Sequence, residues 1–427
     1  MSKNTISGQR QMDFVSKFNY IREAGTPSEE KAASLIREEL KSFGMESHIE
    51  EFSFDTWEIT KAELTITEPY HKTYQATGYQ RCGSTAKEGT EADFLYVENG
   101  DDISLSHAAG KIVMVNEIVR KDLYLRLIKA GVAGFVSISG SPVDEGEDRI
   151  PRAAAIPQKV YESLNEKELI QGVGVHYLDA VEMVTEGAKK AQLTLIQEEV
   201  KRTSRNVEAR IQGTDRADEI LTLTAHYDSV PEGPGAYDNM AGAAIIMEVC
   251  RYLKEHQPRR TVEFVWFGAE EKGLLGSRHY VKLHQQELNQ HRFNMNVDLA
   301  GQLVGGNVIG VTADPSVCAM LTYLARETGI GMTTKNQIWG SDSNTFAWKG
   351  IPAMTLNRDG FGMHTHYDTV ELLSAWSLER SARLLAHIAE SLSDIDSMPF
   401  PQNIPEELDR KSTRQNSSHI RRSRMPS

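Results

Sequence analysis

Residues 225–244, AHYDSVPEGPGAYDNMAGAA, set His226, Asp228 and Asp238 among glycines and prolines that keep the middle of the stretch out of helix and strand. If LTAHYD closes a strand, His226 and Asp228 share one face, because side chains alternate with period two. One can then bind a metal while the other accepts the imidazole's second N–H and fixes its orientation. The PEGPG segment makes a wide turn that can return Asp238 to the side of His226.

Three later segments repeat the theme. FVWFGAEEKGLLGS ends an apolar run with adjacent carboxylates, Glu270 and Glu271, which point in different directions, so that one can ligate while its neighbour faces a substrate. FNMNVDLAG carries Asp298 in an apolar run, where an unpaired charge is costly. GMHTHYDTVE supplies His364, His366 and Asp368 in a glycine-flanked loop. Singly, each is ordinary: a surface histidine, acids at a helix start, a solvated loop. Together they put His, Asp, Glu, Asp and His after successive strands. Nitrogen and oxygen ligands without a thiolate favour Zn²⁺, with Co²⁺ or Mn²⁺ as alternatives. Five ligands exceed one open tetrahedral zinc and suit two ions sharing a carboxylate.

The elements that must hold these residues have an α/β texture from about residue 202 onward. EILTLTAH, TVEFVWFGA, FNMNVDLAG and IPAMTLN read as buried strands, alternating with helices in AGAAIIMEVCRYLKEH, GLLGSRHYVKLHQQ, PSVCAMLTYLARETG and SLERSARLLAHIAESLSDI. Such alternation implies a mostly parallel mixed sheet covered by helices on both faces, with its site outside the carboxyl ends of the strands. Upstream, TPSEEKAASLIREELKSFG predicts a helix. Thr26 and Glu29 suggest a capping box, Pro27 suits the first turn, and Ala32, Ala33, Ile36, Leu40 and Phe43 form the buried stripe before Gly44. Between them lie short β-rich pieces and turns, expected to form a smaller domain over 55–201 inserted into a discontinuous one made of 1–54 and 202–398. The remainder, 399–427, holds a basic, Ser-rich end that resembles translated adapter sequence and is expected to be an unstructured tail, non-native at its end.

A formal charge of −13, from 47 basic and 60 acidic residues, disfavours nucleic acid as a partner. No apolar run reaches a membrane-spanning length, the N-terminus lacks a secretory signal's apolar stretch, and three scattered cysteines form no framework, so a cytoplasmic protein is expected. No GxSxG elbow, HExxH helix or P-loop offers another chemistry.

AHYDSVPEGPGAYDN, GAEEKGLLGS, NVDLAG, SDSNTFAWKGIPAMTL and HTHYDT, in this order, resemble the co-catalytic zinc exopeptidases of family M28 (aminopeptidase Y/S-like), and the β-rich segment resembles the protease-associated (PA) insert of many members. The resemblance implies one zinc on His226 and Asp298, a second on Glu271 and His364, and Asp238 bridging both. Glu270 would be the general base acting on a metal-bridging water, and Asp228 the carboxylate behind His226. It also implies a cis peptide after Asp238 and hydrolysis of N-terminal residues from peptides.

The chain departs from the family pattern in places. Ala241 stands where a serine is common, and Ser343 where a histidine is. Met363 and NQIWG occupy the places that often supply a tyrosine beside the oxyanion. Asn357 or Arg358 is expected to take that role, Arg358 with the option of binding a substrate carboxylate. Competing readings are therefore a carboxypeptidase, dipeptidase or acyl-amino-acid hydrolase on the same scaffold, and a non-catalytic, receptor-like binding protein.

Overall fold

A computed structural model describes residues 5–410. The chain divides into two compact units, Met1–Phe54 with Arg202–Ser427, and Asp55–Lys201.

In the first unit, four strands are laid side by side in the order Arg260–Phe267, Arg216–His226, His291–Val297 and Ala353–Arg358, each parallel to the next. Antiparallel pairing at both sides makes the sheet mixed: residues 207–211 pair with the Arg260–Phe267 strand, and Asn307–Thr312 pairs with Ala353–Arg358. Alternation along the Arg260–Phe267 strand shows why helices cover both faces. Val262, Phe264 and Trp266 enter the main core with Phe14, Ile36, Ile245 and Leu385, while Val265 and Phe267 enter a second core with Tyr280 and Phe346. Helices Gly8–Val15, Ala241–His256 and Ala375–Asp394 pack together, and Leu275–Leu283 meets the short helix Ser343–Ala347.

The helix expected near residue 27 runs Pro27–Ser42, with Thr26 accepting the Glu29 N–H and Ala32, Ala33, Ile36 and Leu40 buried. The capping box does not close. Glu29 reaches past Thr26 to the Gly25 N–H at 2.7 Å and takes the Ser204 hydroxyl on its other oxygen, which makes it a buried strut between chain segments. Of the tail expected from 399, residues 411–427 lie outside the described residues. Residues 400–408 depart from that expectation: Phe400 joins the main core and Ile404 and Leu408 pack on Ala347, since apolar residues four apart share one face.

The second unit builds a sheet in which Thr90–Tyr96, Ile112–Val115, Gly134–Ser139 and Gly172–His176 are parallel neighbours, with antiparallel partners beyond Gly172–His176 and Thr90–Tyr96. Its own core includes Ile112, Leu127, Phe135, Val173 and Met183. No helix among the described residues is long and apolar enough to cross a membrane.

Candidate metal centre

His226 is the last residue of its strand and is 1% exposed. Its Nε2 lies 3.1 Å from Asp238 Oδ1 and 3.5 Å from Asp298 Oδ1. Asp298 directly follows the neighbouring strand His291–Val297, and its N–H donates to Leu356 O at 3.0 Å. On the other side, His364 Nε2 lies 3.0 Å from Asp238 Oδ2 and 3.0 Å from Glu271 Oε1. Asp238 thus turns one oxygen to each histidine. Two groups of side chains share Asp238, His226–Asp238–Asp298 and Asp238–Glu271–His364, and a third brings Glu270 and Glu271 to His226. The parallel register accounts for the convergence: His226 is level with Phe267, three residues ahead of Glu270, and Val297 pairs with Leu356.

The scaffold behind the ligands is hydrogen-bonded at each step. Asp228, fully buried, accepts the N–H groups of Glu270 at 3.0 Å and Glu271 at 3.2 Å, and its Oδ1 stands 3.5 Å from His226 Nδ1. Asp368 accepts the N–H groups of Tyr237 at 2.6 Å and Asp238 at 3.0 Å. The peptide between Asp238 and Asn239 is cis, and the Asn239 amide donates to Val297 O at 2.7 Å. Gly242, the second residue of the helix behind this turn, leaves no room for a side chain, since a Cβ there would stand 2.4 Å from Asn239 Oδ1. Ala269 and Leu299, which neighbour Glu270 and Asp298, and His364 itself lie in the left-handed backbone region, at φ of 54°, 68° and 58°, an arrangement that non-glycine residues keep only where the surroundings impose it.

Burial and crowding set the electrostatics. Burial pushes the Glu270 carboxyl well above the usual carboxylate range, and Glu271 and Asp342 up to about 7. Burial alone would lower both histidines. The surrounding carboxylates outweigh it, raising His226 well above its ordinary value and His364 to about 10. So many acids around two imidazoles leave negative charge that a cation would neutralise. The distances also suit one. Ligand atoms about 2.0–2.2 Å from a tetrahedral Zn²⁺ stand roughly 3.4 Å apart, and the contacts across both groups are 3.0–3.5 Å. The donors are imidazole and carboxylate alone, as zinc accepts.

Every ligand expected from the sequence therefore lies in one of the two groups, with Glu270 and Asp228 beside them. His366 falls in neither group and instead has its ring 4.0 Å from that of Tyr367. The expected oxyanion roles of Asn357 and Arg358 do not survive. The Asn357 amide donates to Asp298 O, and Arg358, 7% exposed, donates to Gln302 O, Leu303 O and Asn307 Oδ1, so the guanidinium braces the loop that follows Asp298. Ser343 is buried against the Thr355 hydroxyl at 2.7 Å. The sequence reading missed Arg22. Its guanidinium is fully buried and donates to the carbonyl oxygens of Phe18, Tyr20, Tyr227, Pro234 and Gly235, clamping the loop between His226 and Asp238. One arginine in NYIREAG carries no local signal for that task.

Several known proteins are similar to this chain in sequence or in fold. The chain is 24% identical over 405 residues to human carboxypeptidase Q, covering 88% of this chain and 83% of that protein. It is 48% identical to Bacillus subtilis aminopeptidase YwaD, over 84 residues that make 19% of this chain and 18% of that one. The solved structure of BSAP, a zinc aminopeptidase from Bacillus subtilis, has the same fold, with a TM-score of 0.78, 22% identity and coverage of 94% of this chain and 99% of that one. Residues 206–389, which contain every one of the expected ligands, match the model of peptidase family M28, and the chain carries a domain of that family.

Proposed function

We propose that this protein is a two-zinc aminopeptidase. The observation that carries the reading is the split carboxylate of Asp238, one oxygen toward His226 and the other toward His364. His226 and Asp298 would hold one ion, Glu271 and His364 the other, and Asp238 both. When bound, the ions supply Lewis acidity toward a scissile carbonyl and lower the pKa of water.

The remaining work falls to the chain. Glu270 is the general base: its main chain is anchored on Asp228, and burial raises its carboxyl toward a value at which it can accept a proton and later return it to a leaving amine. Asp228 fixes both that glutamate and the His226 ring. Asp368 and Arg22 keep Asp238 and its loop in place. The surplus of carboxylates favours a substrate that brings a free ammonium group, the N-terminus of a peptide.

A second reading is supported by human carboxypeptidase Q, to which 88% of this chain is similar: cleavage from the carboxyl end. It needs a cation for the substrate's terminal carboxylate. Arg358, the guanidinium closest to His364 in sequence, is spent on Gln302, Leu303 and Asn307, which favours the aminopeptidase reading. The 55–201 unit is read as a PA-type insert, and the free cysteines Cys82, Cys250 and Cys318 suit a cytoplasmic setting.

Peptides with free and with blocked N-termini separate these readings. The expected result is release of N-terminal residues from the free peptides, abolished by chelation and restored by Zn²⁺. Release of C-terminal residues from the blocked peptides, or no hydrolysis of either set with zinc bound, would overturn the proposal.

A further inference from the structure

Another set of ion-binding side chains in the first unit shares no residue with the centre above. Glu50, from the strand element His48–Glu68, Glu208, from Lys190–Ile211, and His284, the cap that ends the helix Leu275–Leu283, bring one ligand atom each within 4.8 Å of the others. His284 Nε2 lies 2.5 Å from Glu50 Oε1 and 3.6 Å from Glu208 Oε1.

Two observations point beyond a solvated acidic cluster. The first is the other ring nitrogen. His284 Nδ1 meets Glu287 Oε1 at 2.6 Å and Nε2 meets Glu50 Oε1 at 2.5 Å, and a carboxylate only accepts, so both ring nitrogens carry protons; an ion would take the place of the Nε2 proton while the Nδ1–H stays on Glu287. A carboxylate behind an imidazole in this way orients metal-binding histidines and raises their basicity. The second is an unmet demand inside the group. Glu208 is 8% exposed, yet its Oε1 has no hydrogen-bond partner, and neither has the buried Oε2 of Glu50.

We propose that Glu50, Glu208 and His284 form a binding site for a divalent transition ion, Zn²⁺ or one of its neighbours, held in place by Glu287 behind His284. One imidazole and two carboxylates form the kind of donor set such ions take, and a fourth position is left for water. Glu50 would retreat from His284 by about 1 Å to accept an ion between them, a side-chain adjustment at the strand surface. The ion would tie two strands to the end of a helix, a structural staple independent of the peptidase chemistry.

The test uses the full chain equilibrated with buffered Zn²⁺ and freed of loosely held metal. Zinc per chain is measured for the parent, His284→Gln and Glu208→Gln, with peptide hydrolysis assayed alongside. The expected result is one zinc fewer in each variant while hydrolysis is retained; equal zinc in parent and variants overturns the site and leaves a hydrogen-bonded carboxylate–imidazole network. Should the variants fold poorly, crystals of the parent grown with zinc decide the matter by anomalous scattering at the zinc edge. A peak within roughly 2.1 Å of His284 Nε2 supports the site, and its absence there overturns it. Loss of zinc at Asp238 with a peak retained at His284 would instead count against the two-zinc aminopeptidase reading alone.

Discussion

Asp368 receives the main-chain N–H of Asp238 at 3.0 Å, so the residue that faces both histidines is itself held from behind by a second carboxylate. Asn in place of Asp368 keeps one acceptor but turns an amide group toward the other N–H. Asp368→Asn is expected to weaken zinc binding by about 10–100-fold, a typical cost when a partner behind a ligand is lost. Competition with a chromophoric chelator measures it, and an unchanged affinity would remove Asp368 from the positioning role.

Glu270→Gln should preserve the main-chain contacts to Asp228 while removing the proton acceptor. The expected loss in kcat is about 10²–10⁴-fold, with zinc content near that of the parent. Equal turnover by the variant would rule out the base assignment.

The shared ligand makes a distinct forecast about stoichiometry. His364→Ala strips one group of a ligand, whereas Asp238→Ala damages both. Elemental analysis after dialysis should find less zinc in Asp238→Ala than in His364→Ala. The reverse order would mean that Asp238 does not bridge.

Arg22→Met leaves five carbonyl oxygens without their donor, several of them buried. Each buried orphan costs about 1–3 kcal/mol where water cannot replace the donor. A loss of stability of at least about 2 kcal/mol is expected by urea unfolding, together with a fall in zinc affinity as the loop loosens. A variant as stable as the parent would show that water takes over the arginine's bonds.

Glu29 supplies a pH effect away from the metal ligands. Burial raises its carboxyl from 4.5 to about 8, so between those values the folded chain holds a proton that the unfolded chain releases. Its contribution is fully favourable below about 4.5 and is lost as pH rises through about 8. Glu29→Gln, which imitates the protonated carboxyl, should flatten the decline in stability across that window. Parallel slopes of urea midpoint against pH for the two proteins would contradict this.

Much of the centre was legible because its ligands are tied to periodic elements. An apolar run ending in His226, another ending before Glu270 and a third ending at Asp298 can be aligned by strand spacing alone, and Pro27–Ser42 shows its stripe and cap plainly. What escaped was long-range and side-chain-specific. Arg22 acts over more than 200 positions, and Glu50 and His284 are 234 apart in stretches that look like ordinary solvated surface. Arg358 misled for the opposite reason: it sits where a substrate contact was wanted, and only the loop folded over it reveals that its donors are taken. Phe400, Ile404 and Leu408 show that a basic terminus can hide a packed segment just before it.

The alternation in the Arg260–Phe267 strand acts as a ruler for Glu270 and Glu271. Odd and even positions are sorted into different interiors, so deleting a single residue ahead of Phe267 would either invert that sorting or drag Glu270 and Glu271 back by one notch, away from Asp228. Residues that never meet a substrate thereby set the depth at which the acids protrude, and changes in length should be tolerated far less there than changes in side-chain volume.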